Sequence, residues 1–157
     1  MADNVATQKL SIILSKGTLD MVYPAFILAN TAAVMGYEVN VFFTFWGMFA
    51  ASKKSVNKLK ISPVANPTMP MPNIIGMLPG MTHLMTAMMS SKIKKTKIPD
   101  VYTMIKNAKK AGVKLNACST TMAVMDVKKE DLLPEIDGMV GAATFISMSE
   151  GGQIIFI

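Results

Sequence analysis

The chain has 157 residues, 51% of them hydrophobic and only 17% charged, which suits one domain with a single core, built on a sheet covered on both faces or on extensive subunit contacts. The formal net charge is +6 and all sixteen basic residues are lysine, so no guanidinium is available for bidentate phosphate or base recognition and no nucleic-acid partner is expected. A single cysteine rules out an intrachain disulfide, a C-x-x-C redox pair and a thiolate-rich zinc site, and points to a reducing cytoplasm; no metal and no cofactor is expected.

The polar stretch 1–9 is followed by an apolar run too short for a signal h-region, so no secretory signal is expected. Leu10-Ser11-Ile12-Ile13-Leu14, β-branched at its centre, reads as a first buried strand within 9–15, feeding a turn at Lys16-Gly17. Thr18 or Asp20 can cap the helix that follows. Its buried face is expected at Ala25, Leu28, Ala29, Ala32 and Met35, with Pro24 in the first turn and Gly36 as the stop. A second strand over Glu38–Thr44 completes a β-α-β unit, which implies a parallel pair. Phe45-Trp46-Gly47-Met48 leaves this strand at the same end as Lys16-Gly17, where the aromatic pair Phe45 and Trp46 either lines a pocket or packs the sheet edge. A lysine-bearing helical stretch is expected from there through Lys60.

Residues 61–91 carry no Asp, Glu, Lys or Arg, seven of the sixteen methionines, and prolines at 63, 67, 70, 72 and 79. The prolines argue against one continuous membrane-spanning helix. Methionine-rich surfaces suit adaptable contacts, so about 61–97 reads as an inserted arm. Its candidate roles are covering a site, contacting a neighbouring subunit, or meeting a partner, a membrane protein or a membrane surface; the plainer alternative is a loosely packed part of the core. Within it a helix is expected over about 81–89, with Met81, Leu84, Met85 and Met88 on one face. His83, the only histidine, lacks metal-ligand partners of the usual kind and is either an ordinary hydrogen-bonded side chain or a neighbour of the thiol. Lys92-Ile93-Lys94-Lys95-Thr96-Lys97 reads as a solvated hinge, with an anionic membrane surface as the alternative.

Pro99-Asp100 opens a further helix with Val101, Met104, Ile105, Ala108 and Ala111 on its buried face and lysines crowding its end before Gly112. Val113–Cys118 is a third buried strand and Thr120–Met125 a short helix. Val127–Pro134 adds a helical turn, Ile136–Gly141 a fourth strand and Ala142–Ser149 a helix. Gly151–Ile157 is a fifth, apolar strand that must be paired or covered.

The chemistry centres on Cys118, at the end of a strand and ahead of small hydroxyl residues. In open parallel α/β sheets, ligands bind beyond the carboxyl ends of strands. A thiol at a helix start sits where partial positive charge favours its thiolate. The backbone amides and hydroxyls of Ser119, Thr120 and Thr121 are the candidate donors, with Lys16, at the end of the neighbouring strand, as added positive charge and Gly17 and Trp46 beside it. The structural alternative is a small hydrophobe in the core. Protease-like or amidase-like chemistry needs a base and an orienting group, which one distant histidine does not supply. A sulfur carrier needs only one exposed thiol that holds sulfane sulfur as a persulfide and passes it to another thiol. The Lys16-Gly17 turn has no phosphate-binding signature, so no nucleotide is expected.

Lys16-Gly17-Thr18-Leu19-Asp20, Phe42-Phe43-Thr44-Phe45-Trp46-Gly47, Met69-Pro70-Met71-Pro72, and Ala117-Cys118 followed by Lys128-Lys129-Glu130-Asp131-Leu132 together resemble the DsrE/DsrF-like sulfur-relay family. The similarity is to its branch often labelled peroxiredoxin-like and covers nearly the whole chain. It implies a single domain over 1–157 with a three-layer α/β/α fold around a five-stranded parallel sheet, homo-oligomerisation, and a cysteine that accepts and donates sulfur, a role it carries onto Cys118. On this reading the chain is a cytoplasmic sulfur carrier or sulfurtransferase-type subunit whose partners are sulfur donor and acceptor proteins. Relatives often carry an aspartate near Ala123 and a glycine near Asp126; this chain has neither. Two other readings stand beside it. A thiol peroxidase is opposed by the absence of arginine and by Leu115 where the usual peroxiredoxin motif has threonine three residues before the cysteine. The other is a partner- or membrane-docking scaffold with an inert Cys118.

Overall fold

A computed structural model describes residues 8–62 and 78–157. In chain order these form β1 (Lys9–Leu14), α1 (Leu19–Val34), β2 (Glu38–Phe43), α2 (Met48–Ala51), α3 (Met81–Lys95), α4 (Val101–Lys110), β3 (Lys114–Cys118), α5 (Ser119–Val124), β4 (Gly138–Val140), α6 (Ala142–Met148) and β5 (Gln153–Phe156). The strands make one five-stranded sheet of order β4-β3-β2-β1-β5, every neighbouring pair parallel. Cys118, Leu14 and Phe43, the last residues of their strands, therefore lie at the same edge of the sheet.

Both faces of the central strands are buried, which is why their sequences read as apolar runs rather than alternating ones. Leu10, Ile12, Leu14, Val39, Val41, Phe43, Leu115 and Ala117 pack one face. Phe26 of α1 stacks on Phe43 there, with ring centroids 6.1 Å apart. Asn30 Nδ2 donates to the Met104 carbonyl at 3.2 Å and ties α1 to α4. On the opposite face Phe145 of α6, 1% exposed, stacks on Phe42 at 4.5 Å. Successive strand residues point to opposite faces, so Phe42 and Phe43 put helices on both sides of the sheet. This is the three-layer α/β/α arrangement. The Phe42 face also buries Ser11 Oγ, both amide atoms of Asn40, and Asn116 Nδ2, none with a hydrogen-bond partner among the described residues.

Several local expectations are corrected. The buried stripe of α1 is Leu19, Val22, Ala25, Phe26, Ala29 and Ala32, while Leu28 and Met35 are exposed; Phe26 must face Phe43, and that rotates Leu28 outward. Pro24 lies in the second helical turn, not the first, on an exposed position where its missing amide leaves no buried residue's carbonyl without its donor. Thr18 holds the N-cap position without a side-chain capping bond. The helical stretch toward Lys60 stops at Ala51, because Ser52 bridges to Leu132 and the Lys53 amide donates to the Asp131 carbonyl, which turns the chain. A 3-10 turn at Val56–Lys58 follows.

The helix expected over 81–89 runs on to Lys95, so the lysine run is its last turn rather than a hinge; cations there complement the helix dipole. Of its expected face only Met85 is buried, and Leu84 and Met88 are exposed. Ala111 is exposed at the C-cap of α4. Asp100 is the N-cap residue of α4, accepting from the Thr103 amide at 3.0 Å, which puts Pro99 just ahead of the helix rather than in its first turn. Asp126 takes a left-handed backbone (φ 49°), the conformation a glycine adopts without strain. Much of the proposed arm, including Met69-Pro70-Met71-Pro72, lies outside the described residues. Among the described residues no helix is long and apolar enough to cross a membrane.

Candidate functional site

β2 and β3 are paired with Phe43 opposite Ala117. One residue further on, Thr44, just past the end of β2, stands beside Cys118, the last residue of β3. Cys118 is the N-cap residue of α5 (φ −71°, ψ 114°), so the amides that open this helix point toward its sulfur. Thr121, one turn into α5 and 3% exposed, reaches back to the same place. Its Oγ1 lies 3.0 Å from Thr44 Oγ1 and accepts a hydrogen bond from the Phe45 amide, also at 3.0 Å. Phe45 makes that bond from a left-handed backbone (φ 44°), a conformation that is rare and costly for a bulky residue.

Burial pushes the Cys118 thiol up. Hydrogen bonds from the Thr121 hydroxyl and amide, the Thr44 hydroxyl and the Thr120 amide outweigh it, so the pKa is lowered from the usual thiol value. These bonds favour the charged form because amide and hydroxyl donors serve a thiolate better than a neutral S–H. The lowering is therefore dipolar, built from amides and hydroxyls.

Two glycines hold the loops at this edge. A Cβ on Gly17 would run into the Trp46 carbonyl oxygen and stand 3.1 Å from its carbon; one on Gly47 would run into the Leu14 carbonyl oxygen and stand 2.8 Å from its carbon. The turns after β1 and β2 thus interlock backbone to backbone, with Thr44 N–H donating to Leu14 O at 3.0 Å and Gly47 N–H to Ser15 O at 3.1 Å. That contact fixes Thr44 and Phe45 against the third strand.

The residues singled out from sequence divide into three places. Thr121 and the Thr120 amide meet Cys118, whereas the Ser119 and Thr120 side chains are exposed at the surface above it. Cys118 itself is only 6% exposed rather than an open thiol, because its side chain tucks under the first turn of α5 beside Thr44. Lys16 does not end the neighbouring strand: β2 intervenes between β1 and β3, which puts its backbone roughly 10 Å away across the sheet at ~4.8 Å per strand. Lys16, Gly17 and Trp46 instead line a separate cleft of about 610 Å³ with Asp20, Met21 and Phe49. Trp46, 60% exposed, stacks on Phe49 at 5.9 Å there, so of its two alternatives it takes the pocket.

His83 is exposed, with Nε2 3.1 Å from Lys60 Nζ, and is not among the groups bonded to the sulfur. Sequence reasoning named Thr44 and Phe45 only within the stretch 42–47 that carries the family resemblance and missed the contacts of the Thr44 hydroxyl and the Phe45 amide with Thr121. Those contacts become legible only once β2 is known to pair with β3.

A family model described as the DsrE/DsrF/DrsH-like family matches residues 6–157. The chain is 41% identical over 155 residues to the sulfur carrier protein DsrE2 of Allochromatium vinosum, covering 94% of this chain and 96% of that protein. It is 30% identical over 160 residues to the uncharacterized protein YrkE of Bacillus subtilis, covering 94% and 95%. Two solved structures share the fold: protein MTH1491 of Methanobacterium thermoautotrophicum (TM-score 0.61, 12% identity, 96% of this chain and 99% of that one) and ychN of E. coli (TM-score 0.58, 9% identity, 96% and 100%). With the family pattern matched over nearly its full length, the chain belongs to the DsrE/DsrF/DrsH-like family.

Proposed function

We propose that the protein is a sulfur carrier that holds sulfane sulfur as a persulfide on Cys118. The observation that carries this reading is the set of amide and hydroxyl donors gathered on a single sulfur at the carboxyl edge of the sheet. The 41% identity to a sulfur carrier protein supports it. In loading, the Cys118 thiolate attacks the outer sulfur of a donor persulfide, forms the new S–S bond, and releases the donor's inner sulfur as a thiolate. In unloading, an acceptor thiolate attacks the outer sulfur of the Cys118 persulfide and the Cys118 thiolate leaves. Neither step has a net oxidation, and one cysteine suffices. The donors that stabilise the thiolate make it a better leaving group in the second step. The partners are thiol-bearing donor and acceptor proteins. Self-association accompanies this role, supported by the exposed Ile154 and Phe156 on edge strand β5.

The test is incubation with inorganic polysulfide followed by intact-mass spectrometry. A gain of one sulfur atom that a thiol reductant removes, absent in Cys118→Ser, is the expected result; reducibility separates persulfide from sulfinate. Equal loading of Cys118→Ser, or none in the native protein, overturns the proposal. The 6% exposure of Cys118 favours one rival, an inert core cysteine. That rival predicts alkylation only after unfolding, whereas a carrier is alkylated in the native state.

A further inference from the structure

We infer that the exposed aromatics Phe45, Trp46 and Phe49 form a docking ledge for a cysteine-bearing protein segment that carries a bulky apolar side chain about three residues from its thiol, with acidic residues around it. The inference rests on the carrier reading, which brings a partner's thiol to Cys118, and deepens it by naming that partner's chemistry. Single exposed apolar side chains are ordinary, but three aromatics within five residues of chain are not. Phe45 and Trp46 are each 60% exposed and Phe49 41%, and Trp46 stacks on Phe49. Their neighbours explain the outward turn. Met48, Ala50 and Ala51 of α2 are buried, and Gly47 is pressed on the Leu14 carbonyl, so this stretch is anchored on one side and leaves its rings on the other. The ledge is thereby rigid before anything binds, which lowers the ordering cost of binding.

Its position selects the occupant. The Phe45 amide donates to Thr121 Oγ1 in the helix that Cys118 caps, so the ledge starts at the edge of the thiol site. It ends at the cleft of about 610 Å³ that Trp46 and Phe49 share with Lys16 and Met21. That cleft lies past the end of β1, two strands from Cys118, or roughly 10 Å at ~4.8 Å per strand. An extended segment covers roughly 10 Å in about three residues. A partner whose thiol meets Cys118 therefore lays the side chain three residues away into the cleft, where aromatic walls suit an apolar group. The rim is cationic. Lys16 lines the cleft, and residues 44–62 hold Lys53, Lys54, Lys58 and Lys60, all exposed, and no acid. Asp131 pairs with Lys54, and Asp20 is the one carboxylate among the described residues of the cleft. Positive charge is left in excess, which favours acidic flanks on the partner.

The test uses synthetic peptides whose cysteine is held in a mixed disulfide with a coloured aromatic thiol. The Cys118 thiolate attacks the peptide sulfur, forms the new S–S bond and expels the coloured thiolate, so the rate involves no sulfane sulfur. One peptide has leucine at the third position on either side of its cysteine and glutamate elsewhere; the second has serine in place of leucine. With the full-length protein the leucine peptide is expected to react about tenfold faster, the effect of partly burying one side chain. Phe49→Ala and Trp46→Ala, both changes at exposed side chains, are each expected to bring the ratio below about threefold. Val34→Ser, exposed at the far end of α1, keeps it. Lysine in place of the glutamates slows the leucine peptide, and high salt removes that difference. Equal peptide rates leave persulfide loading from polysulfide untouched, and failure of that loading leaves the peptide ratio to stand, so the two failures are distinguishable. Equal rates for the leucine and serine peptides, no reaction of either, a ratio unchanged in both ledge variants, or lysine flanks as fast as glutamate each overturns the inference.

Discussion

Replacing Gly47 with alanine sets two physical expectations against each other. Gly47 has an ordinary right-handed backbone (φ −58°, ψ −23°) at the head of α2, where the reduced freedom of the unfolded chain favours alanine by up to about 1 kcal/mol. The tertiary structure opposes it. An added Cβ would meet the Leu14 carbonyl, whose carbon would stand 2.8 Å away, and Leu14 belongs to a strand paired on both sides. The turn after β2 must withdraw, and two hydrogen bonds go with it: Thr44 N–H to Leu14 O and Gly47 N–H to Ser15 O.

Buried groups left unpaired cost about 1–3 kcal/mol each, so after that gain the net loss is roughly 3 kcal/mol. For a chain of this size that lowers Tm by roughly 6–12 °C. Gly36→Ala is the comparison: Gly36 has φ 88° with nothing within 4 Å of an added Cβ, so only backbone strain of about 1–2 kcal/mol applies. Far-UV circular dichroism melts of the three proteins decide the matter. If Gly47→Ala melts at or above the native protein, or falls no further than Gly36→Ala, the interlock does not exist as described.

Two further outcomes are expected. Asp100→Ala removes the cap of α4, where the carboxylate accepts from the Thr103 amide and hydroxyl, and costs about 1 kcal/mol at neutral pH. Burial raises the Asp100 carboxyl, but the Thr103 hydrogen bonds and the Lys106 charge outweigh it and the pKa is lowered. A lowered folded-state pKa gives stability that is complete above the unfolded value of about 3.9 and is lost as pH falls through the folded one. The urea-midpoint gap between native and Asp100→Ala should therefore narrow between pH 7 and pH ~3; an equal gap at both would show that the carboxylate charge contributes nothing. Phe156 is 70% exposed on edge strand β5, so light scattering coupled to size exclusion should find the native chain larger than a monomer and Phe156→Lys shifted toward monomer mass. A native monomer would refute self-association.

The five strands, a helix opening around Pro99-Asp100, the stop at Gly112 and the placing of Cys118 between a strand and a helix were legible in the sequence, because each depends on residues within a turn or two of one another. Apolar runs bounded by glycine and proline carry that information directly. What surrounds the sulfur was not legible in the same way. Cys118 lies far along the chain from Thr44 and Phe45, and they meet only because β2, and not β1, pairs with β3. The same pairing moves Lys16 to a separate cleft with Trp46. Local patterning thus determined most of the elements and the place of the cysteine sulfur. Strand order decided its neighbours, since hydrogen-bonded pairing between distant segments leaves no periodic trace in either one.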